Sequence, residues 1–200
     1  GKIAPLSRIP KSLEVSANGN LVTAEEILNA VANFQYQALV TKRDSKGNLL
    51  WEKAIPIGGY AAKLYGSTSD INGNHFIVGK TDIDLNEQKN NSYNSNADGF
   101  IVKLDSLGNT EWTRLIGSYS EDKITNVTTD QQGNIYIVGS ARFDSEILFG
   151  EKITETWQSF VAKYSGNGDL LWGTLIPKIF SFSNWNTNIF LDKEGNVLVA

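Results

Sequence analysis

Three tryptophans recur at almost equal intervals and have the chemistry of stacking platforms. Trp51, Trp112 and Trp172 lie 61 and 60 residues apart, and aromatic faces of this kind bind sugar rings and nucleobases. Each tryptophan follows a glycine by four residues, and these glycines are Gly47, Gly108 and Gly168. Because the whole local sequence recurs with the tryptophan, we expect repeated packing between repeated units rather than a ligand platform.

A second group of side chains has the chemistry of a calcium site. Asp82, Asp84 and Glu87 lie close together in the sequence, and carboxylate oxygens are ligands that Ca²⁺ prefers. The segment lacks the ligand spacing and the glycine of a defined calcium loop, and its Asn, Ser and Lys residues are typical of a solvated loop. We therefore expect no cofactor, and calcium at these three residues is the alternative.

The composition excludes several other kinds of site. The chain has no cysteine and one histidine, His75, so disulfides, thiolate metal sites and histidine clusters for zinc are excluded. Its 18 basic and 22 acidic residues give a net charge of −4 without a basic block, which predicts neither nucleic-acid binding nor membrane insertion. No acid/base pair or nucleophile with a credible partner emerges, so we do not expect an enzyme.

Repeated β-hairpins must position these residues. One motif occurs as DSKGNLLW, DSLGNTEW and SGNGDLLW, and a second occurs as SANGNLVTA, DINGNHFIVG, DQQGNIYIVG and DKEGNVLVA. Asp or Ser followed three residues later by Gly, and then by Asn or Asp, predicts a tight turn with a residue at positive φ. The flanking runs are rich in Ile, Val, Thr and aromatic residues, which predicts four strands, a to d, in each period of about 60 residues.

This repeat predicts an all-β fold, a β-propeller of four-stranded antiparallel blades. A parallel β-helix is the alternative, but its coils are much shorter. We expect an N-terminal extension at residues 1–11 and a partial propeller at residues 12–200, with blades from about residues 13, 61, 123 and 186. About three and a half blades cannot close a ring, so we expect the remaining blades of a longer protein, or another copy, at the open edge.

The repeat also resembles a known family. GFIVKLDSLGNTEW followed by TTDQQGNIYIVG is similar to the SBBP bacterial β-propeller repeat, and the resemblance covers about residues 12 to 200. The sequence departs from the pattern at ALVTKRD and at SFSNWNTNIFLD. The resemblance implies a bacterial protein that is extracellular, at the cell surface or in the periplasm, and it offers no catalytic residues to carry over.

The connections between strands fall into two groups. In an antiparallel blade the a–b and c–d turns lie on one face, and the b–c and d–a connections lie on the other. All the short Gly-Asn turns belong to the first group, and the long connections at residues 24–35, 82–98 and 142–158 belong to the second. Thr23 and Glu26 form a capping-box pattern that predicts a short helix in the first of these.

The face with the long connections is therefore the predicted working surface. Its candidate contact residues for a partner or ligand are Tyr93, Tyr119, Trp157 and Trp185. Exposed tyrosine and tryptophan mark contact sites for proteins or carbohydrates, although these side chains could also pin the loops onto the blades. We expect a non-catalytic module for protein interaction or assembly. The alternatives are a carbohydrate-binding module and a fragment of a propeller hydrolase or lyase whose catalytic residues lie elsewhere.

Overall fold

Antiparallel sheets of four strands follow one another along the chain. The computed structural model describes residues 7–16, 19–29, 35–90, 96–142, 147–154, 156–176 and 187–200. Three sheets in this part of the chain contain four strands each, in the spatial order a-b-c-d. The described residues contain no helix.

The strand bounds define the blades. Blade 1 contains β1 (Ser7–Val15), β2 (Leu21–Asn29), β3 (Gln35–Arg43) and β4 (Leu49–Gly58). Blade 2 contains β5 (Lys63–Ser69), β6 (His75–Thr81), β7 (Asp98–Leu104) and β8 (Thr110–Ile116). Blade 3 contains β9 (Asp122–Thr129), β10 (Ile135–Arg142), β13 (Trp157–Tyr164) and β14 (Leu170–Leu175), with a small hairpin of β11 (Ile147–Leu148) and β12 (Glu151–Lys152) before β13. Strands β15 (Ile189–Leu191) and β16 (Val197–Val199) follow as strands a and b of blade 4.

The blades are arranged as in a β-propeller, which confirms the predicted fold class. Strand a of each blade contacts strand a of the next, through β1 with β5, β5 with β9, and β9 with β15. These strands therefore surround the axis, and strand d forms the outer rim. The core lies between the blades, where Phe76, Phe100 and Phe160 are fully buried. Burial on both faces explains why the hydrophobic alternation along the strands is imperfect.

Blade 1 corrects two expectations from the sequence. The predicted helix that begins at Thr23 is wrong, because Leu21–Asn29 is strand β2 and pairs with β1 on one side and with β3 on the other. Strand β1 begins at Ser7, inside the segment that was expected to be an extension. The two errors are linked, because residues 7–10 pair with residues 25–28. A helix in β2 would have left the start of β1 without a partner.

Strand a contains a β-bulge at the same position in each of the first three blades. The pairing between strands a and b skips one residue in each blade, and these residues are Lys11, Tyr65 and Thr125. A bulge adds one residue to a strand and redirects its side chain, and bulges often lie beside functional sites. Three equivalent bulges on the innermost strands therefore direct three unlike side chains to one region near the axis.

The short turns have a common hydrogen-bonding pattern. In the Asp105–Asn109 turn, Gly108 N–H donates to the Asp105 carbonyl over 3.0 Å, and the Asp105 carboxylate accepts from the amides of Leu107 and Asn109. The Asn109 side chain donates to the same carboxylate and lowers its pKa. Seven turns among the described residues share the hydrogen bond from the glycine N–H to the carbonyl of the first residue, which is Asp in five of them and Ser in two. Their glycines all have positive φ, and these are Gly19, Gly47, Gly73, Gly108, Gly133, Gly168 and Gly195. The face that carries these turns is called the turn face below, and the opposite one is the loop face.

Candidate binding site on the loop face

The tryptophans of strand d pack against the turn face of the neighbouring blade. The Trp51 indole donates to the Ser106 carbonyl over 3.0 Å, and its ring covers Gly108. Trp112 repeats this contact one blade further on, with its indole 3.1 Å from the Gly166 carbonyl and its ring over Gly168. The repeated Gly-Trp spacing therefore connects one blade to the next. Trp172 contacts Tyr136 within its own blade and is 40% exposed.

Replacing Gly108 by alanine is expected to destabilise the chain more than replacing Gly47. Both glycines have positive φ, at 87° and 86°, and this conformation costs a non-glycine residue about 1–3 kcal/mol. A Cβ atom on Gly108 would lie 2.9 Å from the Trp51 ring, whereas a Cβ atom on Gly47 would meet nothing within 4 Å. Urea denaturation of the two variants therefore separates inter-blade packing from turn strain. Equal losses of stability would show that the Trp51 contact contributes nothing.

The repeated strand-c lysines also reach the turn face. Lys42 Nζ donates to the Ser106 carbonyl over 3.2 Å, and Lys103 Nζ donates to the Gly166 carbonyl over 2.9 Å. Lys103 also forms an ion pair with Glu111 at 2.8 Å. Their recurrence thus serves the same inter-blade contact as the tryptophans.

The long b–c loops fold back onto the outer strands. Leu85 is 5% exposed and belongs to the core between blades 1 and 2, and the Asn86 side chain donates to Thr113 on β8. In blade 3, Phe149 of the β11–β12 hairpin packs over Gly173 and contacts Phe160 at 5.6 Å between ring centroids. These parts of the loops support the outer rim.

Two of the three calcium candidates, Asp82 and Asp84, have protein partners of different kinds. The Asp82 carboxylate accepts hydrogen bonds from the backbone of Gly59 and Ala61, at 2.6 Å and 3.2 Å. Asp84 instead pairs with Lys89 at 2.6 Å and also accepts the Asn90 amide. Within the described ranges, no three acidic or histidine side chains are grouped as a metal ion would need. These contacts make Asp82, which directly follows β6, a hydrogen-bond acceptor that holds the d–a connection between blades 1 and 2.

The predicted contact residues lie in different surroundings. Trp157 begins β13 and stands beside Lys123, whose Nζ lies 5.1 Å from the centre of a Trp157 ring. Tyr119 lies in the d–a connection between blades 2 and 3 and is 63% exposed. Tyr93 and Trp185 lie outside the described residues.

The d–a connections contain a second exposed tyrosine that the sequence analysis did not single out as part of a repeat. Tyr60 is 90% exposed and occupies the connection between blades 1 and 2. It ends the sequence IGGY, and Tyr119 ends the matching sequence IGSY. This short repeat could have been found in the sequence, since both copies lie at the end of strand d, with Tyr60 two residues after β4 and Tyr119 three residues after β8.

A cavity of about 660 Å³ lies near the axis, where these connections meet the inner strands. All three bulge residues line it, together with residues from the loop-face ends of β5, β6, β9 and β13. Its lining consists of Pro10, Lys11, Lys63, Leu64, Tyr65, Lys80, Glu121, Lys123, Thr125 and Trp157. We call it the mouth cavity. Its volume is in the range of about 300–1,000 Å³ that small-ligand sites have.

Lysines dominate the charge of the mouth cavity. Lys80 pairs with Glu121 at 2.5 Å, and Lys11 lies 3.9 Å from the buried carboxylate of Glu26. Burial lowers the pKa of Lys123, while Glu121 opposes this effect. Burial raises the pKa of Tyr65 to about 12, and the two glutamates act in the same direction. Among the described residues, the cavity lining thus contains four lysines and Glu121, with Glu26 in contact with Lys11.

Two buried aspartates lie beside the connection between blades 2 and 3. Asp98 and Asp122 are each 1% exposed. The Asp122 carboxylate accepts the amide of Ser118 at 2.5 Å and its hydroxyl at 2.8 Å. Burial raises the pKa of Asp122 to about 7, and the negative charge of Asp98 adds to this effect. These hydrogen bonds give Asp122 a structural role in the turn into β9.

His75 is also buried and lies on the side of the turn face. Its Nδ1 lies 2.8 Å from the Ser69 hydroxyl, and its ring contacts Trp51 at 5.5 Å between centroids. Burial lowers the pKa of His75 to about 4, and the charge of Lys42 contributes to the decrease. The imidazole is therefore neutral at physiological pH and acts as part of the packing between blades 1 and 2.

A family model agrees with this architecture. Residues 111–143 match the model of the SBBP beta-propeller repeat, which confirms the predicted resemblance over β8 to β10. A curated relative is the "Regulatory protein FlaEY" of Caulobacter vibrioides, which is 24% identical over 133 residues that cover 64% of this chain and 14% of that protein. The chain therefore spans a small part of this relative's length.

A solved structure shows a distant likeness. It is the GH43_1 enzyme from Xanthomonas citri complexed with xylotriose, and the match has a TM-score of 0.48 at 13% sequence identity. The match covers 98% of this chain and 61% of that chain. In the part of the chain that the structure describes, no helix is long and apolar enough to cross a membrane.

Proposed function

We propose that this chain is a non-catalytic β-propeller module that binds a protein partner through its loop face, as part of an exported or surface-associated bacterial protein. The observation that carries the proposal is the pair of exposed tyrosines, Tyr60 and Tyr119, in neighbouring d–a connections. Tyrosine is enriched at protein interfaces because its ring buries apolar area while its hydroxyl can form a hydrogen bond. Both tyrosines lie within three residues of lining residues of the mouth cavity.

The structural role of Asp122 supports a non-catalytic module. An acid catalyst needs access to its substrate, whereas Asp122 is enclosed and bonded to the Ser118 backbone. The turns of the turn face are used for the inter-blade contacts of Trp51 and Trp112. This structural use supports the loop face as the binding surface.

Capture of partners by matched variants tests this proposal. The immobilised chain is incubated with the cell-envelope fraction of the producing bacterium, beside a loop-face variant with Tyr60→Ser and Tyr119→Ser. The control is a turn-face variant with Ile71→Ser and Leu107→Ser, whose side chains are 64% and 73% exposed. We expect the wild type and the turn-face variant to capture the same protein and the loop-face variant to lose it. Capture that survives in the loop-face variant, or fails in the turn-face variant, contradicts the proposal.

Carbohydrate binding is a second candidate, because Trp157 lies in the wall of a polar cavity. Sugar rings stack on tryptophan, so a glycan ligand would depend on Trp157 more than on the exposed tyrosines. The same capture assay with a Trp157→Ala variant, in which glycans are released from the captured material and compared, distinguishes the two candidates. Loss of glycans with this variant favours carbohydrate binding, and unchanged capture favours the protein partner.

We also propose that further blades, or another copy of the chain, cover the open sides of the array. Exposed apolar side chains support this proposal on blade 1, where Leu13 is 67% and Val15 is 69% exposed. Phe190 on β15 and Leu198 on β16 are likewise more than half exposed. Adjacent blades bury such side chains, as the inter-blade cores show.

A further inference from the structure

The strand-d tryptophans of blades 1 and 2 each bind the c–d turn of the next blade. Trp51 donates its indole N–H to the carbonyl of Ser106 and covers Gly108, which are the second and fourth residues of that turn. Trp112 makes the same two contacts with the c–d turn of blade 3. The chain therefore contains two copies of one recognition geometry, in which an indole binds a turn carbonyl and covers a glycine at positive φ.

Trp172 is the third tryptophan of this series, and within the described residues no c–d turn covers it. Its side chain is 40% exposed, its ring contacts Tyr136 at 6.2 Å between centroids, and its indole N–H has no acceptor in the described part of the chain. Lys163, the strand-c lysine of the same blade, pairs with Asp130 at 3.3 Å, whereas the two preceding strand-c lysines donate to turn carbonyls. Blade 3 thus presents the receptor groups without the turn that they bind in the other blades.

The a–b turn of blade 4 leaves space for a c–d turn on the other side of Trp172. In blade 2 the two turns are in contact, because a Cβ atom on Gly73 would lie 3.7 Å from Ser106. A Cβ atom on Gly195, the equivalent glycine of blade 4, would meet no described residue within 4 Å. A cavity of about 340 Å³ lies between the a–b turns of blades 3 and 4, with Asp130 and Gly195 in its lining.

Strand b of blade 4 offers an edge for a further strand. Among the described residues, β16 pairs with β15 alone, whereas strand b of blades 1 to 3 lies between strands a and c. Leu198 on β16 is 53% exposed. The N–H and C=O groups of an open edge can pair with an added strand. The strand edge and the turn contacts therefore fit the same occupant, a hairpin of strands c and d.

From these features we propose that Trp172, Lys163 and the edge of β16 form a docking site for a β-hairpin whose turn has the pattern Asp/Ser-x-x-Gly. The second turn residue accepts from Trp172 and Lys163, the glycine packs under the indole ring, and the first hairpin strand pairs with β16. Glycine is required, because a Cβ atom on Gly108 would lie 2.9 Å from the Trp51 ring in the equivalent contact. The inference deepens the proposal that further blades or another copy cover the open sides, and it rests on that proposal.

Calorimetric titration with a synthetic hairpin tests the site. The probe is the peptide of residues 98–116, which contains β7, β8 and the turn that Trp51 binds. The Trp172→Ala chain and a probe with Gly108→Ala should each weaken binding about tenfold or more, as truncation or obstruction of a central interface contact does. The matched control probe carries Leu107→Ala, and it should change affinity less than about twofold because Leu107 is 73% exposed. Equal affinities for all the chains and probes would overturn the proposal.

Fluorine NMR gives a measurement that does not depend on the stability of a variant. The wild-type chain is labelled with 5-fluorotryptophan and the probe is unlabelled. The Trp172 resonance should shift when the probe is added, and the resonance of Trp157, on the loop face, should stay in place. A shift at Trp157 alone, or no shift at either residue, would overturn the proposal.

Two further measurements separate this site from the other proposals. The Tyr60→Ser/Tyr119→Ser chain should bind the probe as the wild type does, whether or not it captures a protein on the loop face. Probe binding that Leu198→Ser weakens and Trp172→Ala leaves unchanged would keep the cover of the open side and overturn the role of the indole. A dimer of the chain alone that Trp172→Ala dissociates in sedimentation equilibrium would assign the site to a second copy and overturn the hairpin.

Discussion

Replacing Trp112 by alanine is expected to lower the free energy of unfolding by about 3–5 kcal/mol, as large aromatic truncations in a core do. The Trp112 ring lies over Gly168, its indole donates to Gly166, and Arg114 stacks on it at 5.4 Å. All these groups lose a partner in the alanine variant, so the contact between blades 2 and 3 weakens. Chemical denaturation followed by circular dichroism measures the loss.

Trp172 provides the matched control within the same repeat. It occupies the equivalent position in blade 3 but is 40% exposed, so Trp172→Ala should cost only about 1–2 kcal/mol, in keeping with its smaller buried apolar area. A cost equal to that of Trp112→Ala would contradict the inter-blade role assigned to the repeated tryptophan.

The second large effect is a pH dependence of stability caused by Asp122. Its pKa of about 7 in the folded chain lies above its ordinary value of 3.8. Between these two pKa values the folded state retains a proton that the unfolded state releases. The free energy of unfolding therefore declines as pH rises from about 4 to 7. The loss amounts to at most about 4 kcal/mol, at 1.36 kcal/mol for each pKa unit.

The variant Asp122→Asn should remove this decline. A neutral amide can accept from Ser118 as the protonated carboxyl does, so the variant should gain stability relative to the wild type between pH 4.5 and pH 8. The control is Asp105→Asn, because hydrogen bonds from Asn109 lower the pKa of Asp105. The Asp105 carboxylate stabilises the folded chain above the unfolded pKa, and this stabilisation is lost as pH falls. Its pH dependence is therefore opposite in sign to that of Asp122. Urea denaturation at several pH values measures the free energy of unfolding of both chains. A difference between wild type and Asp122→Asn that stays constant across this range would contradict the raised pKa of Asp122.

The repeat made the fold predictable from the sequence. The spacing from Gly108 to Trp112 occurs three times in the sequence, and Trp51 and Trp112 both use it for an inter-blade contact. A repeated structural need leaves a periodic signal of this kind. The turn glycines all have the positive φ that the sequence indicated.

Blade 1 shows where local patterns fail. Thr23 and Glu26 fit a capping box, but tertiary pairing overrides local helix propensity. Glu26 is buried and accepts the Leu64 amide over 2.8 Å, so it links blade 1 to blade 2. A single sequence carries no sign of this long-range partner.

The mouth cavity was not predictable for a related reason. Its lysines are brought together by the arrangement of the blades and by bulges in strand a, and no sequence motif common to the three bulges marks them. Trp157 was selected as an aromatic residue on the correct face, but its contact with Lys123 depends on packing across blade 3. Tyr60 and Tyr119 did carry a signal in the repeated IGGY and IGSY sequences.

Hydrogen exchange of the chain, with and without its captured partner, tests most directly the claim that recognition occurs on the loop face. We predict slower exchange on binding in the d–a connections at residues 59–62 and 117–121, with the turns around Gly73, Gly108 and Gly133 unchanged. Protection confined to those turns, with the d–a connections unaffected, would place the partner on the turn face and contradict the account.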